Sequence, residues 1–203
     1  MLKKSKKILV VLLCLIMLGS TTIFADSSTN NIENNESTEE LTFLFKIEGY
    51  TFKYENAPQP LKDNYDKTCK ELGISPDANS EIFVPIDEMQ KYKQTYNFDD
   101  SIATYDIFNI YYSEEDLYFK VTGDKNYKVY ITTYVGYGHQ TSGNAVHLVQ
   151  LLLKRCGYSL NADSSFGPDT YNKVKSFQSK YGLSADGVVG IGTWNKFVVV
   201  LSL

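Results

Sequence analysis

Two loops near the end of the chain present Asp and Ser side chains on a glycine-rich backbone, a combination that could hold a polar ligand. Residues 163–170 read DSSFGPDT and residues 186–194 read DGVVGIGTW. In each loop an Asp is followed by a Gly four residues later and by a Thr three residues after that. Asp, Ser and exposed backbone groups can hydrogen-bond hydroxyls, amides and carboxylates, and loops on a rigid scaffold are frequent binding sites. The predicted ligand-binding residues are Asp163, Ser165, Phe166, Asp186 and Gly187.

A purely structural role for the same two Asp residues is an equally good interpretation. Asp side chains often fix a turn by accepting hydrogen bonds from nearby backbone N–H groups. Asp-Gly, which occurs here at residues 186–187, is also a common turn signal. The residues alone leave the binding role and the turn role open.

The chain has few residues that could support catalysis by a metal ion or by a thiol. Residues 41–137 contain no His, which excludes a catalytic zinc site built from two His of that region. A Cys peptidase would need Cys69 activated by His139. Cys69 follows Leu61 and Tyr65 at helical spacing, and this pattern favours a small buried residue on a helix.

Carboxylate chemistry is less constrained, because glycoside hydrolysis needs only two suitably spaced acids. Residues 26–139 contain 21 acidic residues, so composition alone does not exclude it. Glu114, Glu115 and Asp116 are adjacent, but they lie at a predicted hairpin turn, where charge normally faces solvent. No pair has a diagnostic spacing.

Three amphipathic helices are predicted to position the two loops. Pro168 suits the first turn of the second helix and Gly182 its exit. Each helix carries apolar residues three or four positions apart. These stripes are Val146, Val149, Leu153 and Cys156; Tyr171, Val174, Phe177 and Tyr181; and Trp194, Phe197, Val198 and Leu201. We expect Trp194 to be buried and to serve packing.

Residues 143–201 resemble the small three-helix peptidoglycan-binding domain of bacterial cell-wall hydrolases and their relatives. The matching positions are Val146, Val149, Gln150, Leu153, Gly157, Tyr158, Phe166, Gly167, Pro168, Thr170, Val174, Phe177, Gln178, Gly182, Leu183, Asp186, Gly187, Val188, Val189, Gly190, Thr193 and Trp194. Ser164 departs from the family, which usually has Gly there, and Cys156 and Ile191 replace a preferred Leu and a frequent Pro. The resemblance implies that the partner is peptidoglycan or muropeptides. Neither a cofactor nor a metal ion is expected.

The start of the chain has the pattern of a signal peptide over residues 1–25. Four Lys precede an apolar run at residues 8–19, and Ala25 ends a plausible cleavage site. A membrane-spanning helix needs about 20 apolar residues, so no stable membrane span is expected after cleavage. The sequence therefore predicts a secreted protein, associated with the cell wall or envelope.

Charge divides unevenly along the chain. The net charge is −4 for 20 basic and 24 acidic residues, and −8 without the four N-terminal Lys. Residues 140–203 carry +3 and residues 26–139 carry −11. A basic module suits an anionic wall polymer, because long-range attraction raises the encounter rate. Export and overall acidity argue against nucleic acid as a partner.

Residues 26–40 are polar without periodicity and are predicted to be a disordered linker. Residues 41–137 hold 13 of the 16 Tyr, in a largely strand-like pattern. We expect one hairpin turning near Glu48–Gly49, a second turning at residues 113–115, and a third strand after Asn126. Helices are expected at residues 60–72 and 85–92. No family resemblance is evident in this region.

The sequence thus predicts an α+β protein of two domains. A Tyr-rich, β-rich α+β domain at residues 41–137 would be followed by a three-helix, peptidoglycan-binding-like domain at residues 138–203, with an exposed linker at residues 136–143. The predicted function is non-catalytic binding of the cell wall, with an envelope protein as a further partner for the unassigned first domain. The alternatives are a peptidoglycan hydrolase with catalytic carboxylates in residues 41–137, and a protein-docking module without a glycan ligand.

Overall fold

An antiparallel sheet and a group of helices form the part of the chain that the computed structural model describes, residues 39–96 and 101–202. The strands are β1 (Thr42–Lys53), β2 (Glu81–Pro85), β3 (Thr104–Ser113), β4 (Tyr118–Gly123) and β5 (Tyr127–Tyr130). The helices are α1 (Gln59–Leu72), α2 (Ile86–Tyr96), α3 (Asn144–Arg155), α4 (Pro168–Lys180) and α5 (Ile191–Leu201), and a 3-10 turn occupies Tyr54–Asn56. The strand order is β2-β1-β3-β4-β5.

The hairpin predicted at Glu48–Gly49 is wrong, because β1 runs straight through these residues. Gly49 pairs with Pro85 of β2 on one side and with Asp106 of β3 on the other. A Cβ at Gly49 would lie 2.2 Å from the carbonyl oxygen of Val84. Glycine is needed here because the β2 backbone approaches closely, which is a known use of Gly inside a strand.

The other elements predicted for residues 41–137 are confirmed. β3 and β4 form a hairpin in which Ser113 pairs with Tyr118, and β5 adds a third antiparallel strand. α1 and α2 occupy the two segments predicted to be helical. Cys69 is 1% exposed on α1, as its spacing indicated, and both Cys69 and Cys156 are free thiols.

α3 is the central helix of the fold, since every residue from Ala145 to Lys154 is buried. A helix that is buried all round must be covered on several sides. Sheet residues such as Phe108 and Phe119 share one hydrophobic core with residues of the three C-terminal helices, including Phe177 and Trp194. A second, smaller core contains residues of α1, β2 and α2, among them Leu61, Val84 and Met89.

The described residues 39–96 and 101–202 belong to one compact unit, so two separate domains divided at residues 137/138 are not confirmed. The segment predicted to be a linker is tied to the first Asp-led loop. The backbone N–H of Gly143 donates to the carbonyl of Ser164 at 2.9 Å, and that of Phe166 donates to the carbonyl of Thr141 at 2.8 Å. Gly136 is buried, whereas Gly138, His139 and Gln140 are exposed.

The predicted signal peptide at residues 1–25 lies outside the described residues, as does nearly all of the linker predicted at residues 26–40. Among the helices of the described ranges, none combines the length and apolar character needed to cross a membrane.

Candidate functional site

The first Asp-led loop is organised around the side chain of Gln150, which α3 presents to it. The Gln150 Nε2 group lies 2.8 Å from Asp163 Oδ1, 3.1 Å from the Ser165 carbonyl and 3.2 Å from Thr170 Oγ1. Gln150 Oε1 accepts a hydrogen bond from the backbone N–H of Ser164 at 2.9 Å. Asp163 Oδ1 also accepts from the backbone N–H of Ser165 at 3.0 Å. One amide side chain therefore holds both ends of the turn.

The second loop repeats this network around Gln178 of α4. Its Nε2 group lies 2.9 Å from Asp186 Oδ1, 2.9 Å from the Val188 carbonyl and 3.2 Å from Thr193 Oγ1. Gln178 Oε1 accepts from the backbone N–H of Gly187, and Asp186 Oδ1 accepts from that of Val188, both at 2.9 Å. The two loops are thus structural repeats, and both Asp residues fix their own turns.

The residue after each Asp has a left-handed backbone. Ser164 has a φ of 61° and Gly187 a φ of 80°. Glycine adopts this conformation without strain, whereas a residue with a Cβ does so at a cost of roughly 1–2 kcal/mol. The repeat therefore explains why the related family prefers Gly at the position of Ser164.

Ser164→Gly is expected to raise the free energy of unfolding by about 0.5–1 kcal/mol, because relief of strain exceeds the added freedom of the unfolded chain. The matched reverse change, Gly187→Ser, should lower it by at least about 2 kcal/mol. There the new Cβ would be strained and would lie 2.1 Å from the Tyr171 ring. Urea unfolding of both variants provides the measurement. A loss of stability in Ser164→Gly would contradict the strain argument.

The two loops differ in what covers them. In the first, Asp163 is 6% exposed and Ser165 7% exposed, and Phe166 is fully buried. The backbone N–H of Phe83 in β2 donates to the carbonyl of Ala162 at 2.9 Å, just before this loop. A Cβ at Gly167, at the loop's end, would lie 2.3 Å from the Thr68 hydroxyl of α1. The first loop is therefore packed against the N-terminal half of the chain.

Burial shifts the pKa of the Asp163 carboxyl group in the first loop. It raises the pKa of Asp163 to about 6, while the hydrogen bonds from Gln150 and Ser165 oppose that rise. Desolvation disfavours the charged carboxylate, and these hydrogen bonds favour it. Asp163 is thus a buried acid whose charge is stabilised first by the Gln150 side chain of α3 and then by backbone N–H groups of its own turn.

The second loop, in contrast, is open to solvent around Asp186, although the neighbouring Gly187 is buried. Beside it lies a surface cavity of about 260 Å³. Its lining residues are Tyr134, Gln178, Leu183, Ser184, Asp186, Val188, Gly190, Ile191, Gly192 and Thr193. We call this the second-loop cavity. Of the five predicted ligand-binding residues, only Asp186 lines it.

Tyr134 forms one wall of the second-loop cavity and is not among the five predicted ligand-binding residues. The side chain is 47% exposed, and its ring lies 5.3 Å from that of His139. A Cβ at Gly190 would lie 2.8 Å from the Tyr134 ring, so Gly190 lets the ring sit close to the loop. Val135 and Val189 exchange backbone hydrogen bonds of 3.0 and 2.8 Å, which fixes Tyr134 beside the loop.

Residues considered for catalysis are dispersed. His139, the candidate partner of Cys69, is exposed. The other His of the chain, His147, is buried on α3, where its Nδ1 lies 2.7 Å from the Tyr127 hydroxyl, and burial lowers its pKa to about 3. Burial also raises the pKa of the Cys69 thiol. Glu114, Glu115 and Asp116 are exposed between β3 and β4. Within residues 39–96 and 101–202, no three His, Cys, Asp or Glu side chains are grouped to hold a metal ion.

Comparison with known proteins identifies two regions of this fold. Family models, each described as a "Putative peptidoglycan binding domain", match residues 142–197 and residues 44–108. A peptidoglycan-binding protein from Clostridioides difficile shares 37% sequence identity with this chain, and its crystal structure matches the present one with a TM-score of 0.68. That comparison covers 75% of this chain and 92% of the other. This chain belongs to the peptidoglycan-binding protein family.

Membership in the peptidoglycan-binding protein family confirms the resemblance found in the three-helix region. It also corrects the interpretation of residues 41–137, since residues 44–108 match a second model of the same description. That region was not recognised because its strands and Tyr residues lack a diagnostic local motif. The comparisons do not support an envelope protein as a partner.

A zinc D-Ala-D-Ala carboxypeptidase from Streptomyces albus G is also similar, with 46% identity over 61 residues. This match covers 28% of the present chain and 23% of the enzyme. The chain therefore spans less than a quarter of this curated relative, and the two proteins share only a part.

Proposed function

We propose that this protein is exported and attaches non-catalytically to the cell wall by binding peptidoglycan through the second-loop cavity. One observation carries the choice of site. Of two loops with the same hydrogen-bond network, the first is covered by the protein's own α1 and β2, and the second is open.

The groups around the second-loop cavity suit a polar, sugar-containing ligand. The Tyr134 ring can pack against the apolar face of a sugar, and its hydroxyl can form a hydrogen bond. Asp186 uses Oδ1 for its turn, while Oδ2 accepts no hydrogen bond from the described part of the chain. That oxygen remains available to accept a hydrogen bond from a ligand hydroxyl or amide.

The crystal structure of the relative from Clostridioides difficile contains the protein in complex with glutamine hydroxamate. This ligand is an α-amino acid with an amide-like hydroxamate at the end of its side chain. Peptidoglycan peptides carry the same ammonium, carboxylate and amide groups. We therefore propose that the present protein contacts the peptide part of the wall polymer as well as its sugars.

A pull-down with purified, insoluble cell wall tests the second-loop cavity. Tyr134→Ala and Ile191→Asp are expected to reduce retention by about tenfold, since aromatic contacts and the apolar rim would be lost. Both side chains are more than 40% exposed, so the fold should tolerate these changes. Tyr130→Ala is the matched control, because Tyr130 is 51% exposed on β5 and does not line this cavity.

Four outcomes of this experiment are informative. Wild-type retention that the two cavity variants lose and the control keeps would support the proposed site. Equal retention of all four proteins would place wall binding elsewhere on the molecule. Absence of wild-type retention would contradict the proposed function. Release of soluble fragments from the wall by the wild-type protein would instead favour the hydrolase alternative.

A further inference from the structure

Two adjoining cavities lie where α2 meets the C-terminal end of α3. Their volumes are about 390 and 430 Å³. Asp87, Glu88, Lys154 and Gly157 line both, and none of these residues lines the second-loop cavity. We call the two cavities together the junction groove, because α2 belongs to the first matched region and α3 to the second.

An ion pair between the buried Lys154 and the partly exposed Glu88 lines the junction groove. The Lys154 side chain is 1% exposed, and its Nζ donates to both carboxylate oxygens of Glu88, at 2.9 and 3.0 Å. Burial lowers the pKa of Lys154, and the adjacent Glu88 opposes this effect. An apolar pair could join two helices with similar or greater stability. An ion pair whose Lys is desolvated, in the lining of an open groove, therefore points to a role besides stability.

Charges of both signs surround this ion pair. Three carboxylates line the groove, those of Glu48, Asp87 and Glu88. The other basic residues of the lining are Lys46, Lys91 and Arg155. Such a lining is complementary to a ligand that carries both an ammonium and a carboxylate group. An uncharged sugar chain would supply no charged group to this lining.

Tyrosine side chains form the less polar wall of the groove. The Tyr92 and Tyr96 rings are 5.8 Å apart on α2, and Tyr158 lies on the opposite side, after α3. Aromatic rings can cover methylene and methyl groups while their hydroxyls remain hydrated. A charged groove with an aromatic wall suits a short peptide better than a polysaccharide.

We propose that the junction groove binds the zwitterionic peptide part of peptidoglycan, which rests on the wall-binding function proposed above. The ligand's ammonium would contact Glu88 or Asp87, and its carboxylate would contact Lys91 or Arg155. Its aliphatic segments would pack on Tyr92 and Tyr96. The two matched regions would then contribute jointly to one peptide site, while the second-loop cavity contacts the remaining wall polymer.

The test uses the full chain and the synthetic tripeptide L-alanyl-γ-D-glutamyl-L-lysine. Calorimetric titration should show binding to wild type, and Glu88→Gln should raise the Kd by about tenfold or more through loss of a charged partner. Tyr96→Ala is a second variant that leaves the ion pair intact, since Tyr96 is 51% exposed. It should also weaken binding. Tyr130→Ala, outside the groove, should bind as wild type does.

Mapping by NMR on the wild-type protein makes the assignment independent of the variants. Tripeptide-induced shifts at Tyr92, Tyr96 and Tyr158 would support the groove. Shifts confined to Tyr134 and Asp186, or unchanged affinity in Glu88→Gln and Tyr96→Ala, would overturn it. Absence of tripeptide binding while wild type is retained on insoluble wall would overturn the groove and leave the wall-binding function standing. Tripeptide binding without wall retention would support the groove and contradict that function.

Discussion

Trp194→Ala is expected to lower the free energy of unfolding by about 3–5 kcal/mol, the usual range for removing a buried Trp side chain. Trp194 is fully buried, as predicted from its helical stripe. Its ring lies 5.5 Å from that of Phe119 in β4, and its Nε1–H donates to the Thr133 carbonyl at 2.8 Å. The variant would therefore lose packing between α5 and the sheet and leave a carbonyl without its partner. Urea unfolding followed by circular dichroism measures the change.

Two control variants accompany Trp194→Ala, one for its hydrogen bond and one for an exposed residue of the same helix. Trp194→Phe keeps an aromatic ring but removes the N–H donor, so it should be less destabilising than Trp194→Ala. Ile191→Ala changes an apolar residue of the same helix that is 42% exposed, and its effect should stay within about 0.5 kcal/mol. Because one core spans the sheet and the C-terminal helices, Trp194→Ala should destabilise both together. Loss of the helices with an intact sheet would contradict a shared core.

Gln150→Leu is expected to lower the free energy of unfolding by at least about 3 kcal/mol. The change removes the donor to the buried Asp163 carboxylate and to Thr170, and leaves the Ser164 N–H without its acceptor. Leaving a buried polar group unpaired costs about 1–3 kcal/mol, and more for a charged group. Fluorescence of Trp194, the single tryptophan, can follow unfolding.

Gln178→Leu is the matched control, because Gln178 makes the same hydrogen bonds in the second loop. Asp186 is exposed there, so water can replace the lost partner, and the expected cost is about 1–2 kcal/mol. Equal costs for the two variants would show that the covering of the first loop has no energetic consequence.

The cost of Gln150→Leu should also depend on pH. The folded pKa of Asp163 is about 6, against an ordinary value of 3.8. The stability that protonated Asp163 contributes is therefore fully present below pH 3.8 and is lost as the pH rises through about 6. The hydrogen bond from Gln150 lowers this pKa, and its removal should raise the pKa further. The variant's deficit should therefore be larger at pH 8 than at pH 5. When Gln150→Leu is introduced into an Asp163→Asn background, which lacks the carboxylate, its deficit should be the same at pH 8 and pH 5.

Local patterns were sufficient to predict most of the secondary structure. The spacing of apolar residues and the turn residues Pro168 and Gly182 predicted the C-terminal helices, because each depends on neighbours within one or two turns. The same is true of the hairpin between β3 and β4. The sequence pattern predicts equivalent positions for Asp163 and Asp186, and it does not decide between a binding role and a turn role for them. Both now prove to hold their turns.

Tertiary contacts decided which loop is available to a ligand. Phe83 pairs with Ala162, the Asn161 side chain donates to the Leu61 carbonyl at 3.2 Å, and Thr68 packs on Gly167. These contacts bury the first loop and join regions that the sequence predicted to be separate domains. Gly49 likewise looked like a turn residue and instead allows β2 to approach β1. Each outcome depends on residues far apart in the chain, and the local pattern around a residue does not specify which distant surface will cover it.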